Sequence, residues 1–378
     1  MEMSGGSPRF VGSEIYRGSS YGAWHPLAVP RVSTVMDLVR AMGWLAPGQY
    51  RISPRAKPAA LELFHTPEYL AALMAAERDG QVSEAVRARH GLGTVANPVF
   101  PEIFRRPATG AGAVMLAADA LGKGPGLWHV PGGGTHHGMP DRANGFCYLN
   151  DPVIALLSLR RAGLRRLAYI DIDAHHPDGV EAALRDDPDV LQLSVHEVDR
   201  WPRTGALEEA GRGQVFNLPV PRGFHDDDMA LVRERLILPA LERFRPEAVV
   251  LQCGADAVAE DPLSRLSLSN TSHWRIVAAL KAQTDRLLVL GGGGYNPWTV
   301  GRLWAGVWAV LNDLPVPEEL PAPAQAVLRD LRWTGKRAGR APEPHWITQL
   351  RDAPRHGAIS DVVRARLRPL EDRLAAWR

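Results

Sequence analysis

Acidic and imidazole side chains cluster in the segment YIDIDAHHPDG, residues 169–179. Asp171, Asp173 and His175 follow one another at intervals of two residues, which places them on one face of a strand and its extension. A further acid, Asp256, follows a second hydrophobic run in the segment GADA. Asp173, His175 and Asp256 together supply the oxygen and nitrogen ligands of a catalytic metal site with one open position. A lone member of this set would be interpreted as a helix cap or a core histidine, but their density favours the metal.

Two adjacent histidines, His136 and His137, follow three glycines in the segment PGGGTHHG. The glycines let the backbone turn sharply and approach a ligand, so the histidines are candidates either for metal ligands or for an acid and a base. Two aspartate ligands already neutralise a divalent cation, which then acidifies its water less than a three-histidine site does, and a separate base is useful. Asp171 and Asp178 are spare carboxylates that can orient a histidine.

A run of four glycines, Gly291 to Gly294, precedes Tyr295. Such a run lets the backbone bend around a narrow cavity and place the tyrosine at its floor. A phenol there can donate a hydrogen bond to a developing oxyanion, which is worth several kcal/mol in a dry site. Taken alone, the glycines would equally suit a phosphate loop or a plain turn, but the run lacks the GK[ST] ending of a P-loop.

The elements that position these residues are short hydrophobic runs that alternate with amphipathic stretches. Both 228–244 and 271–285 have the amphipathic pattern of a helix. The alternation predicts an α/β fold with a mainly parallel sheet and helices on both faces, because strands covered on both sides are hydrophobic throughout. Chemistry collects at the carboxyl ends of such strands, where this sequence is polar or rich in glycine. The predicted strands are GLWHV (126–130), RLAYIDI (166–172), VLQLSV (190–195), EAVVLQC (247–253) and RLLVLG (286–291).

Composition excludes several classes of protein. With 378 residues, 45% of them hydrophobic and 23% charged, the chain is neither disordered nor fibrous. The 44 basic and 42 acidic residues leave a charge of +2, too little to steer the chain to nucleic acid or anionic lipid. The absence of a long apolar run and of a signal-peptide pattern in MEMSGGSPRF predicts a cytoplasmic protein. Cys147 and Cys253 are predicted to be buried thiols.

A proline-rich break, LPVPEELPAP, separates two parts of the chain. Residues 1–313 are predicted to be the catalytic domain. Residues 314–378 are predicted to be an extension that ends in a helix and packs on the catalytic body, although a role in oligomerisation is an alternative. The sequence does not determine the oligomeric state.

Several of these segments resemble the zinc-dependent histone deacetylase family, including its bacterial members called acetoin utilization proteins. The matching stretches occur in family order. They are HPLAVPR (25–31), GGGTHHGMPDRANGFCYLND (132–151), YIDIDAHHPDGVEAA (169–183), LSVH with WPRTG (193–205), LQCGADAVAEDPL (251–263) and LGGGGYNPWTVGRLW (290–304). The resemblance implies a single-domain, arginase-like fold with a parallel eight-stranded sheet.

The resemblance also implies roles for particular residues. It makes Asp173, His175 and Asp256, the trio already found from spacing, the zinc ligands. It makes His136 and His137 the tandem histidines, partnered by Asp171 and Asp178 respectively. It makes Tyr295 the donor to the oxyanion. The residues implied to bind substrate or line its tunnel are Gly145, Phe146, Trp201, Gly293 and, near the acetate exit, Arg31. Oxygen atoms around Asp171, Asp173, His175 and Ser194 match a monovalent cation site, usually potassium.

Two positions depart from the family pattern. Pro177 stands where the family commonly has glycine in HHGDG, which fixes φ and removes an amide donor beside the ligand loop. Ala96 stands in GTVANPVF where the family often has an aspartate that grips the backbone of a peptide substrate, and tight peptide binding is therefore in question.

The function predicted from these residues is hydrolysis of acetyl or short acyl groups from lysine side chains of proteins or peptides, with Zn²⁺ as cofactor. The main alternative is a deacetylase of small amines such as acetylpolyamines, since Ala96 and Trp201 alter the rim. A ureohydrolase with two manganese ions would need further carboxylate ligands, and a non-enzymatic scaffold that binds acylated chains would be expected to have lost the metal and tyrosine positions.

Overall fold

Eight strands form one sheet among residues 7–333 and 339–377, which are the residues that this computed structural model describes. The strands are β1 (Arg9–Gly12), β2 (Tyr50–Ile52), β3 (Gly126–Val130), β4 (Leu167–Asp171), β5 (Val190–Glu197), β6 (Val215–Val220), β7 (Ala248–Gln252) and β8 (Arg286–Leu290). They lie in the order β2-β1-β3-β8-β7-β4-β5-β6, and each neighbouring pair is parallel. The predicted eight-stranded, mainly parallel sheet is confirmed.

The five hydrophobic runs found in the sequence form β3, β4, β5, β7 and β8. The other three strands carry weaker signals: β1 and β2 have four and three residues, and β6 contains Asn217 and Pro219. Pro219 is tolerated because β6 pairs only with β5 at the edge of the sheet, where a missing amide donor breaks no second ladder.

Helices cover both faces of the sheet, so the strands contribute side chains to two cores. Ala168 and Ile170 of β4 lie in the first core, whereas Leu167 and Tyr169 lie in the second. This burial on both sides is why the strands are hydrophobic throughout. The predicted amphipathic stretches 228–244 and 271–285 are helical over most of their length.

The helices on the first core are α1 (Ile15–Gly18), α2 (Val32–Ala41), α9 (Asp226–Val232), α10 (Leu238–Phe244), α11 (Asn270–Gln283), α12 (Pro297–Leu311), α13 (Ala322–Asp330), α14 (Pro344–Thr348) and α15 (Asp361–Ala375). Those on the second core are α3 (Pro58–Leu61), α4 (Pro67–Asp79), α5 (Glu84–His90), α6 (Arg105–Lys123), α7 (Asp151–Arg161) and α8 (Asp178–Leu184). A π-helical segment, Arg233–Ile237, joins α9 to α10.

The four central strands, β3, β8, β7 and β4, bring their carboxyl ends to one edge of the sheet. The segments that follow them are the ones in which the sequence is polar or rich in glycine. Residues distant in the chain therefore meet at this edge, as expected for a parallel sheet.

The segment after residue 313 packs against the rest of the chain. Leu328, Trp346 and Leu367 are buried in the first core, and Arg302 of α12, fully buried, has Nη2 2.7 Å from Oδ1 of Asp352. The division of the chain at residue 313 into a domain and an extension stays a prediction.

Two further predictions concern the cysteines and the N-terminal segment. Cys147 and Cys253 are buried and unpaired, as predicted. No helix among the described residues is long and apolar enough to cross a membrane. Residues 1–6, on which the prediction of a missing signal peptide partly depends, lie outside the described residues.

One buried histidine on β3 lies outside the polar edge. His129 is fully buried, its ring is 5.4 Å from the ring of Phe10, and neither ring nitrogen has a hydrogen-bond partner among the described residues. Burial lowers the pKa of His129 to about 3, against about 6.5 in an unfolded chain. The neutral ring is thus favoured in the folded protein, and the stability present above pH 6.5 is lost as the pH falls toward 3.

We expect His129→Phe to remove this loss of stability while keeping an aromatic ring. Between pH 7 and pH 5, the free energy of unfolding of the variant should gain about 2 kcal/mol relative to the parent protein, since only the parent must bury a group that the unfolded chain protonates. Urea denaturation at both pH values measures the difference. The exposed His356 supplies the control, and His356→Gln should show no such gain. An equal pH dependence of parent and His129→Phe would contradict the assignment.

Candidate active site

Asp173, His175 and Asp256 converge at the carboxyl ends of the adjacent strands β4 and β7. Nδ1 of His175 is 2.9 Å from Oδ2 of Asp256 and 3.2 Å from Oδ1 of Asp173. One ligand atom from each of the three residues lies within 4.8 Å of the others, and all three side chains are buried. The structure thus brings together the trio that the sequence singled out.

Backbone groups hold the two carboxylates in place. The amide of Gly293 donates to Oδ2 of Asp173 at 2.6 Å, and the amide of Ala174 donates to Oδ1 of Asp256 at 3.1 Å. A Cβ at Gly293 would collide with the Asp256 carboxylate, and Gly292 has a φ of +133°. The glycine run is therefore required for the backbone to pass this close to the acids.

The donor set fits a divalent metal ion. Two carboxylates and one imidazole, buried and oriented by backbone amides, are ligands that Zn²⁺ and similar cations accept. Burial disfavours charge on Asp256, and the neighbouring charge of Asp173 acts in the same direction, so the pKa of Asp256 is raised. Two negative groups this close in a buried site need a cation between them, and these residues can hold one.

His136 is bonded to a buried carboxylate. Its Nδ1 is 2.8 Å from Oδ2 of Asp171, which also accepts from the hydroxyl of Tyr169 at 2.6 Å. Burial alone would lower the pKa of His136, but the charges of Asp171 and Asp173 outweigh it and raise the pKa to about 9. His136 is accordingly a cation at neutral pH in the metal-free protein.

His137 has a different carboxylate partner and, unlike His136, is neutral at pH 7. Its Nδ1 is 2.6 Å from Oδ1 of Asp178, while Nδ2 of Asn144 donates to Oδ2 of Asp178 at 3.0 Å. Burial, and then the charge of His136, lower the pKa of His137 to about 3 against the opposing effect of Asp178. His137 is therefore neutral at pH 7 and able to accept a proton, which Asp178 would stabilise.

Tyr295 lies at the floor of the same cavity. Its backbone amide donates to Oδ2 of Asp261 at 2.7 Å, and its hydroxyl has no hydrogen-bond partner among the described residues. Burial raises the pKa of Tyr295 well above 10, with the charges of Asp256 and Asp173 acting in the same direction. The phenol thus keeps its proton and is free to donate it in a hydrogen bond.

A cavity of about 410 Å³ leads from the surface to these groups. Phe146 and Trp201 line it, with the Phe146 ring 6.0 Å from the ring of Tyr295 and the Trp201 ring 4.6 Å from the ring of His137. Gly145 has a φ of +51°, and a Cβ there would collide with the Trp201 ring. The two aromatic residues form the walls of a channel that is apolar for most of its depth.

A smaller cavity of about 40 Å³ continues inward from Tyr295 and is also lined by Arg31 and Gly293. Nη1 of Arg31 donates to the carbonyl of Gly292 at 2.6 Å, and its guanidinium lies 5.4 Å from the centre of the Trp304 ring. Ten of the thirteen residues predicted to form the site line these two cavities. The other three are acids bonded to histidines of the lining: Asp171 to His136, Asp178 to His137 and Asp256 to His175.

The predicted monovalent cation site has its residues in place. The register of β4 and β5 puts Asp171 beside Ser194, whose hydroxyl is 2.9 Å from Nδ1 of His196. Binding of potassium there stays a prediction. Pro177 precedes α8 with a φ of −78°, and the amide of the next residue, Asp178, donates to the carbonyl of His176 at 2.9 Å.

Several residues of the site were not assigned roles from the sequence. Asp261 accepts from the amide of Leu263 at 2.9 Å as well as from Tyr295, so one carboxylate orients two segments that line the cavity. Asp151 accepts from the amides of Gly134 and Thr135 at 2.7 and 2.8 Å and orients the loop before the histidines. Both acids lie within the stretches that resemble the family, and this resemblance is the sequence signal that could have identified them.

Comparison with known proteins agrees with this geometry. The sequence model of the histone deacetylase domain family matches residues 25–311 of this chain. The acetoin utilization protein AcuC of Bacillus subtilis (strain 168) is 33% identical over 326 residues, covering 82% of this chain and 84% of that protein. Histone deacetylase 1 of Homo sapiens is 32% identical over 308 residues, covering 80% of this chain and 64% of that protein.

A solved structure shows the same fold. The crystal structure of an HDAC homolog from Aquifex aeolicus superposes with a TM-score of 0.92 and 32% sequence identity, covering 97% of this chain and 100% of that one. The predicted arginase-like fold is therefore confirmed.

We expect Asp256→Asn to weaken metal binding. Loss of a charged ligand should cost at least the roughly 10- to 100-fold in affinity that loss of a residue behind a ligand costs. Metal analysis after dialysis against buffered Zn²⁺ measures the bound equivalents. Asp178→Asn is the control, since Asp178 contacts His137 and no ligand atom, and it should keep its metal. A full equivalent in Asp256→Asn would show that the ligand set is wrong.

Proposed function

The chain belongs to the histone deacetylase family, and from that premise we propose that it is a zinc-dependent amidohydrolase. Its substrates are acetylated, or short-chain acylated, lysine side chains of proteins or peptides, and acetate is released. The proposal is supported chiefly by one observation. His137, His175 and Tyr295 line one narrow cavity, and the Tyr295 hydroxyl has no hydrogen-bond partner among the described residues. The other two metal-ligand candidates lie beside His175, and Asp178 is bonded to His137.

The ion proposed for Asp173, His175 and Asp256 is Zn²⁺, because it accepts carboxylate and imidazole ligands together and keeps an open position in catalytic sites. When bound, it supplies Lewis-acid chemistry, polarising a carbonyl oxygen and making water more acidic. All other functions in the reaction are assigned to side chains of this chain.

His137 is proposed to move the proton. Neutral at pH 7, it takes a proton from the attacking water as the new carbon–oxygen bond forms. It returns that proton to the nitrogen as the carbon–nitrogen bond breaks, so that the products are a carboxylic acid and an amine, which at pH 7 become a carboxylate and an ammonium ion. Asp178, 2.6 Å from Nδ1, fixes the orientation of the ring and stabilises its protonated form. His136, together with Asp171, is proposed to tune the electrostatic field within the site.

Tyr295 is proposed to stabilise the oxyanion that forms on the former carbonyl. Its hydroxyl is protonated and has no competing partner in the described part of the chain, so it can donate as the negative charge develops. The bond from its backbone amide to Asp261 holds the residue in the cavity without using the hydroxyl.

The channel is proposed to admit a lysine-like chain. Four methylenes pack between Phe146 and Trp201, and an extended apolar stem is therefore required of any substrate. The deacetylase of small acetylated amines remains the alternative, since Ala96 leaves the rim without the acid that would grip a peptide. Rates on an acetyl-lysine peptide and on acetylated polyamines, measured on one metal-analysed sample, separate the two.

Two more distant alternatives have less support. A two-manganese ureohydrolase needs a second group of ligands, and the described residues contain a single cluster of three candidate ligands. A non-enzymatic scaffold is disfavoured because the ligand candidates and Tyr295 are present together. A cytoplasmic location stays a prediction.

We expect Tyr295→Phe to lower turnover of an acetyl-lysine peptide by about a hundredfold or more, which corresponds to roughly 3 kcal/mol of lost transition-state stabilisation. Zinc content and folding should be unchanged, because the hydroxyl makes no hydrogen bond to any described residue. Steady-state kinetics together with metal analysis measure both. Phe64→Tyr, a substitution between the same residue types outside the two cavities, is the control and should keep its turnover. Unchanged turnover in Tyr295→Phe would remove the phenol from the mechanism.

A further inference from the structure

The described lining of the 410 Å³ cavity contains an arginine. Arg200 lines it, with Nε and Nη2 each donating to a carboxylate oxygen of Glu197 at 2.8 Å. Nη1 of Arg200 makes no hydrogen bond to any described residue, and a quarter of the side chain is exposed. No aspartate or glutamate lies among the described residues that line the cavity, where Ala96 occupies part of the rim.

Glu197 is buried and is shared between two arginines. Its side chain is only 1% exposed, so it lies behind Arg200 rather than facing substrate. It is also shared with a second cation, since Nε of Arg222 is 4.0 Å from Oε1 of Glu197 and the Arg222 side chain is 80% exposed. Two arginines therefore share the single buried carboxylate of Glu197.

Exposed apolar side chains lie on the loops that form the mouth. The exposed fractions of Trp24, Val95 and Trp201 are 79%, 94% and 44%. The loops that carry Trp24 and Val95 meet at the mouth, because Nε2 of His25 is 3.1 Å from the carbonyl of Ala96 and the His25 ring is 4.5 Å from the ring of Phe146. Exposed apolar residues grouped around a cavity mark a binding surface more often than isolated ones do.

We propose that this mouth selects acyl-lysine segments that carry an acidic side chain next to the modified lysine, and that it discriminates against polycationic substrates such as acetylated polyamines. The proposal rests on the proposed function and names the substrate class of that site. A carboxylate beside the entering chain is attracted by Arg200, whereas an ammonium group is repelled by it and meets no acid among the described residues that line the cavity. The apolar collar contacts the peptide on either side.

The expected size of the effect follows from Coulomb's law. Two unit charges about 4 Å apart in a water-like medium change an equilibrium by about fivefold, and this contribution weakens when salt shortens the screening length. An acidic neighbour should therefore improve binding about fivefold over a neutral one, and a basic neighbour should weaken it by a similar factor.

The test uses three acetyl-lysine peptides that differ only in the neighbouring residue, which is Glu, Gln or Arg, together with N-acetylputrescine. We expect kcat/KM to fall in the order Glu, Gln, Arg, with N-acetylputrescine lowest, and the spread to shrink at 0.5 M salt, on the order of a 4 Å screening length. Equal values for the three peptides, or a preference for the Arg peptide, would overturn the proposal.

Two charge variants address the residues themselves. Ala96→Glu adds an acid to the rim and should reverse the order of the Glu and Arg peptides. Arg200→Gln should reduce the preference for Glu, while Arg200→Lys, which keeps the charge, should largely retain it. Arg78→Gln, a change of equal charge at a residue with 72% exposure on another surface, is the control for net charge. An unchanged peptide order in Ala96→Glu would contradict the proposal even if Arg200→Gln failed to fold.

Failure of the mouth proposal can be distinguished from failure of the proposed function by measuring binding separately from turnover. Dissociation constants of the three peptides with metal-loaded Tyr295→Phe should follow the order of kcat/KM. Turnover without a charge preference would overturn the selection and leave the deacetylase intact. A charge preference in binding without turnover of any substrate would overturn the deacetylase alone, and the absence of both would overturn both.

Discussion

The need to compensate the negative charge of two buried carboxylates is the main constraint on this structure. Asp173 and Asp256 lie within reach of the same imidazole nitrogen of His175, and both are removed from water. Like charges so placed are costly unless a cation and hydrogen-bond donors compensate them. The parallel strands bring the acids to one edge, the glycine run supplies amides at close range, and His136 adds a positive charge. Each of these features either places the two acids or compensates their negative charge.

The same arrangement couples the metal-ligand loop to the wall of the channel. His176, the neighbour of His175, has its Nδ1 2.8 Å from the hydroxyl of Thr204, and a Cβ at Gly205 would collide with its ring. Thr204 and Gly205 belong to the loop that presents Trp201. The position of the aromatic wall thus depends on residues packed directly behind the ligand segment, so the width of the channel and the geometry of the metal site are not independent.

Much of the fold and of the site could be predicted from the sequence because its information is local. A strand buried on both faces is hydrophobic throughout, and acids spaced by two at its end identify a shared face. The missed features lack such a signature. Short β1 and β2 have too few residues for a pattern, the bond from Tyr295 to Asp261 joins a side chain to a backbone amide 34 positions away, and the clustering of Arg222 with Arg200 around Glu197 exists only after β5 and β6 have paired.

The first core draws on nearly the whole length of the described chain, from Phe10 in β1 to Leu374 in α15. Contacts between residues so far apart in sequence form late and slow the search for the native state. During synthesis, the sheet would emerge from the ribosome before α15 could cover the outer edge beside β6, leaving apolar surface exposed in the interval. A chain built this way has reason to depend on chaperones while it is being made.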